Sequence, residues 1–190
     1  MLSALVMLAT YLAPATETAL TSDSPPGFLL LWKRYSAHLA FVFMLLAFSA
    51  STLKAVVNSA QTRALLRYRR QLRLGFATAH TFHSIALILF LNNLEGCKFD
   101  ASVAVAGFGY VVTASLAFTS NDYSVKRLGT AKWKQLHTVG IFILMLYFFV
   151  ASGRLLTNFA PIYAVYAALI ATAVVAKLRV KRRTMTAATD

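Results

Sequence analysis

The sequence predicts an all-α membrane protein, a six-transmembrane-helix bundle with both termini on the cytoplasmic side. Three observations lead there. Of 190 residues, 58% are hydrophobic and only 13% charged, with a mean hydropathy of +0.63, which is far from the charge share of a soluble domain. The apolar residues gather into stretches long enough to cross a bilayer. The net charge of +13 comes from basic residues that bracket those stretches instead of lining one face, so it reads as membrane topology and not as a nucleic-acid surface.

The first segment, Met1 to about Ala15, is short and runs into Pro14 and a polar stretch. It lacks the basic residue that opens a secretory signal, so it is read as a retained, weak first span. Ser22-Asp23-Ser24-Pro25-Pro26 is a loop, and Gly27 to Trp32 has the composition of an interfacial segment beside Lys33 and Arg34. The second span covers about Tyr35 to Val57. The third covers Leu72 to Leu91 and ends at Asn92-Asn93. The fourth, Ala101 to Thr119, is rich in Ala and Gly, which allow helices to approach closely. Trp133 to Gly153 and Pro161 to Val175 complete the set. On this plan residues 1–34 hold the weak span, an outer loop and the interfacial segment; 35–176 form the bundle; 177–190 are a basic tail. Fifteen of the 19 Lys and Arg residues fall on one side, leaving Lys33, Arg34, Lys98 and Arg154 on the other. The rich side is expected to be cytoplasmic.

One stretch carries the chemistry. From Arg69, alternate steps of four and three residues reach Arg73, Phe76, His80, His83 and Leu87, a single helical face with guanidiniums at one end and imidazoles further in. Ionisable groups at membrane depth are rare and usually functional. A haem asks for this stripe, because its propionates favour cations near the headgroups and its iron favours neutral imidazole in an apolar shell. The bland alternative is polar side chains hydrogen-bonded between packed helices. The remaining histidines, His38 and His137, sit at the heads of the second and fifth spans. Tyr110, Tyr147, Phe148 and Phe149 are read as packing aromatics.

What is absent narrows the function. None of the six carboxylates lies in the middle of a span, which argues against a proton pump or cation carrier. No Gly-rich phosphate-binding fingerprint is present, so a nucleotide domain is not expected in this chain. A single cysteine, Cys97, excludes an intrachain disulfide and any iron–sulfur or multi-thiolate zinc site.

Arg69-Arg70-x-Leu72 leading to His83, then Leu116-Ala117-Phe118-Thr119-Ser120, then Arg127-Leu128-Gly129-x5-Gln135-Leu136-His137, resembles the ferric-reductase-like transmembrane domain. The likeness runs over roughly Ser36 to Ala176 and is greatest to the haem-binding membrane subunit of the periplasmic methionine sulfoxide reductase system. That resemblance implies b-type haem held between the third and fifth spans. His83 matches an outer-haem ligand and His137 a ligand on the cytoplasmic side. The partner expected thirteen residues after His137 is Val150, and the one expected fourteen before His83 is Arg69. His38 then becomes the candidate substitute at the outer level, and His80 a second candidate on the third span.

The expectation is therefore an integral membrane protein of a bacterial inner membrane, or an organelle inner membrane, that holds one haem b or two. His83 and His137 are its iron-ligand candidates, with His80, His38, Arg69 and Arg73 as further cofactor contacts. It would relay electrons to or from a redox partner protein or quinone, with no nucleic-acid partner. The rival expectation is a haem-depleted structural or assembly subunit of a larger membrane complex.

Overall fold

In the computed structural model, residues 8–9, 27–92, 101–156 and 162–186 are described, and they are helical with short connections and no strand. The helices are α1 (Phe28–Val56), α2 (Ala60–Arg67), α3 (Arg69–Asn92), α4 (Ala101–Phe118), α5 (Asp122–Leu128), α6 (Thr130–Leu156) and α7 (Ile162–Thr186). Four of them, α1, α3, α6 and α7, are long and apolar enough to cross a membrane, and Gly107–Phe118 of α4 is a shorter apolar helix. Apart from helical Leu8 and Ala9, the expected first span lies outside the described residues, as do the Ser22–Pro26 loop and Cys97.

The spans run longer than the hydropathy suggested, because charged residues continue the helices beyond their apolar centres. Nothing between Gly27 and Tyr35 breaks a helix, so the segment read as interfacial forms the first turns of α1. Likewise α7 continues through the basic run from Lys177 to Arg183. Between α1 and α3, Ser59 caps α2: its hydroxyl accepts from the Thr62 amide, and the Thr62 hydroxyl accepts from the Ser59 amide. Gly129 joins α5 to α6 at φ +77°, a region that favours glycine.

Packing is closest between α1 and α3, with α7 against α1 and α6, and α4 bridging α3 and α6. The core is built from Phe41, Met44 and Phe48 of α1, Phe76 and Ala79 of α3, Leu144 and Met145 of α6, and Ile170 of α7. Two glycines set the approach distances. A Cβ on Gly75 would lie 3.2 Å from the Phe43 ring, and one on Gly140 would lie 2.8 Å from Leu116, so at both helix contacts an alanine would need the facing side chain to give way.

Cross-links fix the order of the ends. The Arg69 Nε donates to the Ala47 carbonyl (3.0 Å), and Lys177 Nζ donates to the Phe48 carbonyl (2.9 Å). Both cations therefore hold α1 from opposite neighbours at the basic end of the bundle, where α3 and α6 begin and α1, α4 and α7 finish.

Candidate functional site

The stripe on α3 is the spine of the site. Phe76 and His80 are buried, Arg73 and His83 are half-buried, and together they face α1, α4 and α6. Phe76 divides the stripe into two layers. Its ring lies stacked 5.2 Å from the His80 ring at an interplanar angle of 20°, and it also lines a cavity on the other side, towards the basic end.

In the layer above Phe76, His80 is 3% exposed, and neither ring nitrogen has a hydrogen-bond partner among the described residues. Rings surround it: Tyr110 at 4.5 Å, Phe148 at 5.8 Å and His83 at 6.0 Å. A buried polar group without a partner costs about 1–3 kcal/mol, so this position is unexplained by packing alone. His83 differs. Its Nδ1 lies 2.9 Å from the Lys33 carbonyl oxygen, which can only accept. The proton of the neutral ring is therefore on Nδ1, and Nε2 keeps its lone pair. This tautomer, with Nδ1–H on a backbone carbonyl, is the one that iron- and zinc-ligating histidines commonly use. On the neighbouring helix, Trp32 Nε1 is also buried without an acceptor, and its ring lies 6.2 Å from Phe82.

In the layer below Phe76, both nitrogens of His137 are engaged. Arg73 Nη1 donates to Nδ1 (3.4 Å), since a guanidinium has no acceptor, and this leaves the proton of the neutral ring on Nε2. Nε2 then donates to Thr119 Oγ1 (3.0 Å), which passes its own proton to the Ser115 carbonyl (2.7 Å). Trp133 lies 4.3 Å from the His137 ring and donates from Nε1 to the Thr119 carbonyl (2.7 Å). The adjoining cavity has a volume of about 350 Å3, at the low end of ligand sites. Arg69, Arg73, Lys134 and His137 supply its polar wall; Phe76, Leu116 and Ile141 supply its apolar one.

The structure thus brings Arg73 to His137, and His80 to His83, but it does not join the two pairs. Ten residues separate Arg73 from His83, about 15 Å along α3. His38 is engaged by α7: its Nδ1 is 2.7 Å from the Tyr166 hydroxyl, and its ring stacks near Tyr163. Val150 is 47% exposed on the outer face of α6. The inward residue near that height is Phe148, eleven residues or about three turns from His137. Sequence reasoning passed over Trp133 and Thr119 as site residues. Trp133 was findable, because it stands four residues before His137 and so shares its face.

As to what the site can hold, no group of three or more His, Cys, Asp or Glu comes together among the described residues. A haem calls for imidazole in an apolar shell, and the upper layer holds two candidates, His80 and His83, both from one face of α3.

No protein-family profile matches the chain. It is similar to the magnetosome protein MamZ of Paramagnetospirillum magneticum, with 27% identity over 122 residues, covering 61% of this chain and 18% of that protein. The magnetosome protein MamZ of Magnetospirillum gryphiswaldense is 26% identical over 121 residues, covering 60% of this chain and 18% of its own length. The chain spans less than a fifth of the length of these curated relatives.

Proposed function

We propose that the chain is a membrane-embedded b-type haem protein that relays electrons across a bacterial membrane to or from a separate partner. One observation carries this reading: the Lys33 carbonyl holds the His83 Nδ1–H and so leaves the lone pair on Nε2, one turn from a second imidazole, that of His80, which has no partner among the described residues. His83 is the axial ligand in this proposal. Because His80 and His83 leave one face of a single helix, one imidazole of α3, that of His83, would hold the group. The aromatic shell of Phe76, Tyr110 and Phe148 keeps water out and so raises the influence of nearby charge on the redox potential. Bound haem supplies one-electron chemistry; the chain's residues hold, orient and tune it.

Arg69 and Arg73 act on this haem from the cytoplasmic side through space, since Phe76 lies between them and the imidazoles. The basic end is cytoplasmic, as the charge distribution favours. The likeness of the α3, α4 and α6 motifs to ferric-reductase-like domains supports the same function. The likeness to two bacterial magnetosome proteins supports a bacterial membrane location.

The test is a spectrum. Purified protein is expected to be red, with a reduced b-type band and a haem-to-protein ratio near one. A second reading, a haem-free structural subunit of a larger complex, is favoured by Val150 standing on the outer face of α6. A colourless preparation that stays colourless after haem is added would establish that second reading.

A further inference from the structure

The cavity below Phe76 poses an electrostatic problem that the haem reading leaves unsolved. Arg69, Arg73 and Lys134 line it, and among the described residues no carboxylate does. The one carboxylate residue among the described residues, Asp122, is joined to Arg70 on the surface (3.7 Å). Arg69 and Arg73 are half-buried and Lys134 is exposed at the rim; cations partly withdrawn from water without a counter-charge are costly, and a hydrogen-bond donor without an acceptor adds to that cost. Arg73 Nε is such a donor: it is buried and has no partner among the described residues. Among the described residues Arg69 gives its Nε to the Ala47 carbonyl. Ser120 also lines the space.

We propose that this cavity binds a phosphate group, from either an anionic phospholipid headgroup of the adjoining leaflet or a soluble phosphate compound. A phosphate carries several acceptor oxygens, enough to take Arg73 Nε, Arg69 and Lys134 together, and charge-assisted bonds of that kind are the strong ones. The His137 side of the cavity holds the arrangement in place. With Nδ1 accepting from Arg73 Nη1 and Nε2–H anchored on Thr119, the imidazole holds the guanidinium so that Nε has no acceptor among the described residues. The size of the cavity suits a headgroup phosphate, and its position at the basic end, where α3 and α6 begin, places it at headgroup depth. The site is separate from the proposed haem layer because the Phe76 ring closes it off, so the two proposals stand or fall independently.

The experiment uses the full chain in neutral detergent. One arm offers phosphatidylglycerol against phosphatidylcholine and reads retained lipid by native mass spectrometry; the other titrates inorganic phosphate calorimetrically. Preferential retention of phosphatidylglycerol assigns the lipid source, and binding of inorganic phosphate alone assigns a soluble one. In either case Arg73→Gln and Lys134→Gln are expected to weaken binding about tenfold or more, as loss of a charged hydrogen bond does, while Arg70→Gln leaves it within about twofold. Lys134 is exposed, so Lys134→Gln decides the matter if Arg73→Gln does not fold. Three results overturn the proposal. They are no binding of either probe, an equal effect of Arg70→Gln and Lys134→Gln, or a second haem that disappears in His137→Ala and so occupies the cavity itself.

Discussion

His83 Nδ1 lies 2.9 Å from the carbonyl oxygen of Lys33, and this one bond ties the imidazole of α3 to the backbone of α1. It orients the ring and sets its tautomer, so Nε2 is ready to ligate without rearrangement. His83→Ala is expected to lose haem, while His80→Ala keeps most of it. The haem-to-protein ratio of the two purified variants checks this; loss in His80→Ala alone would move the ligand to His80, and equal loss would overturn the assignment to His83.

His80 offers a separate measurement on haem-free protein. Its two ring nitrogens are buried without partners among the described residues, so exchanging it for an apolar residue removes a penalty of about 1–3 kcal/mol against a small loss of packing. His80→Leu is expected to leave the thermal midpoint of the haem-free chain unchanged or raise it. A marked fall would mean that the imidazole has a stabilising partner.

Arg73 stands ten residues from His83, about 15 Å along the helix axis. A cation at that distance in a low-dielectric bundle favours the reduced, more negative haem. Arg73→Gln is expected to lower the midpoint potential by tens of millivolts, on the order of what Coulomb's law gives for an effective dielectric of about 20. Arg69→Gln should act in the same direction and also loosen α1, because Arg69 holds the Ala47 carbonyl. Unchanged potentials in redox titrations of both would reduce the two residues to topology signals.

The α4–α6 contact makes a stability prediction. The nearest neighbour of a Cβ at Gly140 is a Leu116 methyl at 2.8 Å, the far end of a side chain that can turn aside. Gly140→Ala is therefore expected to be tolerated, whereas Gly140→Val should cost about 1–3 kcal/mol through overpacking. Thermal unfolding of the two variants in one detergent separates them.

Much of this arrangement was legible in the sequence, for a simple reason. The 3.6-residue period of α3 is a local property, so Arg73, Phe76, His80 and His83 could be placed on one face before any partner helix was known. What could not be read was which groups meet across helices. Nothing local says that Arg73 finds His137, that Lys33 offers its carbonyl to His83, or that Phe76 splits the stripe into two compartments. Rotation of α6 was equally hidden. Thirteen residues after His137 falls on the outer face of a regular helix, so Val150 turns outward and Phe148 inward, a distinction that depends on helix geometry and not on residue type.

That rotation leads to the last prediction, which concerns the sixth position of the iron. The sequence suggested His38 as the substitute for the ligand missing at Val150. In the folded chain His38 is paired with the Tyr166 hydroxyl at 2.7 Å and packed between Tyr163 and Tyr166, so it serves the α1–α7 contact. With His83 as the α3 ligand and Phe148 facing the same layer from α6, the iron is expected to be five-coordinate, high-spin and open to carbon monoxide in the unmodified protein. His38→Ala should leave that spectrum as it is. Phe148→His places an imidazole on the inward face of α6, and it is expected to convert the haem to a low-spin, bis-imidazole form that no longer takes carbon monoxide. Val150→His, on the outer face, is expected to change nothing. If Val150→His gives the low-spin form and Phe148→His does not, α6 is rotated by roughly half a turn from the arrangement described, and the aromatic cage around His80 is not the haem layer.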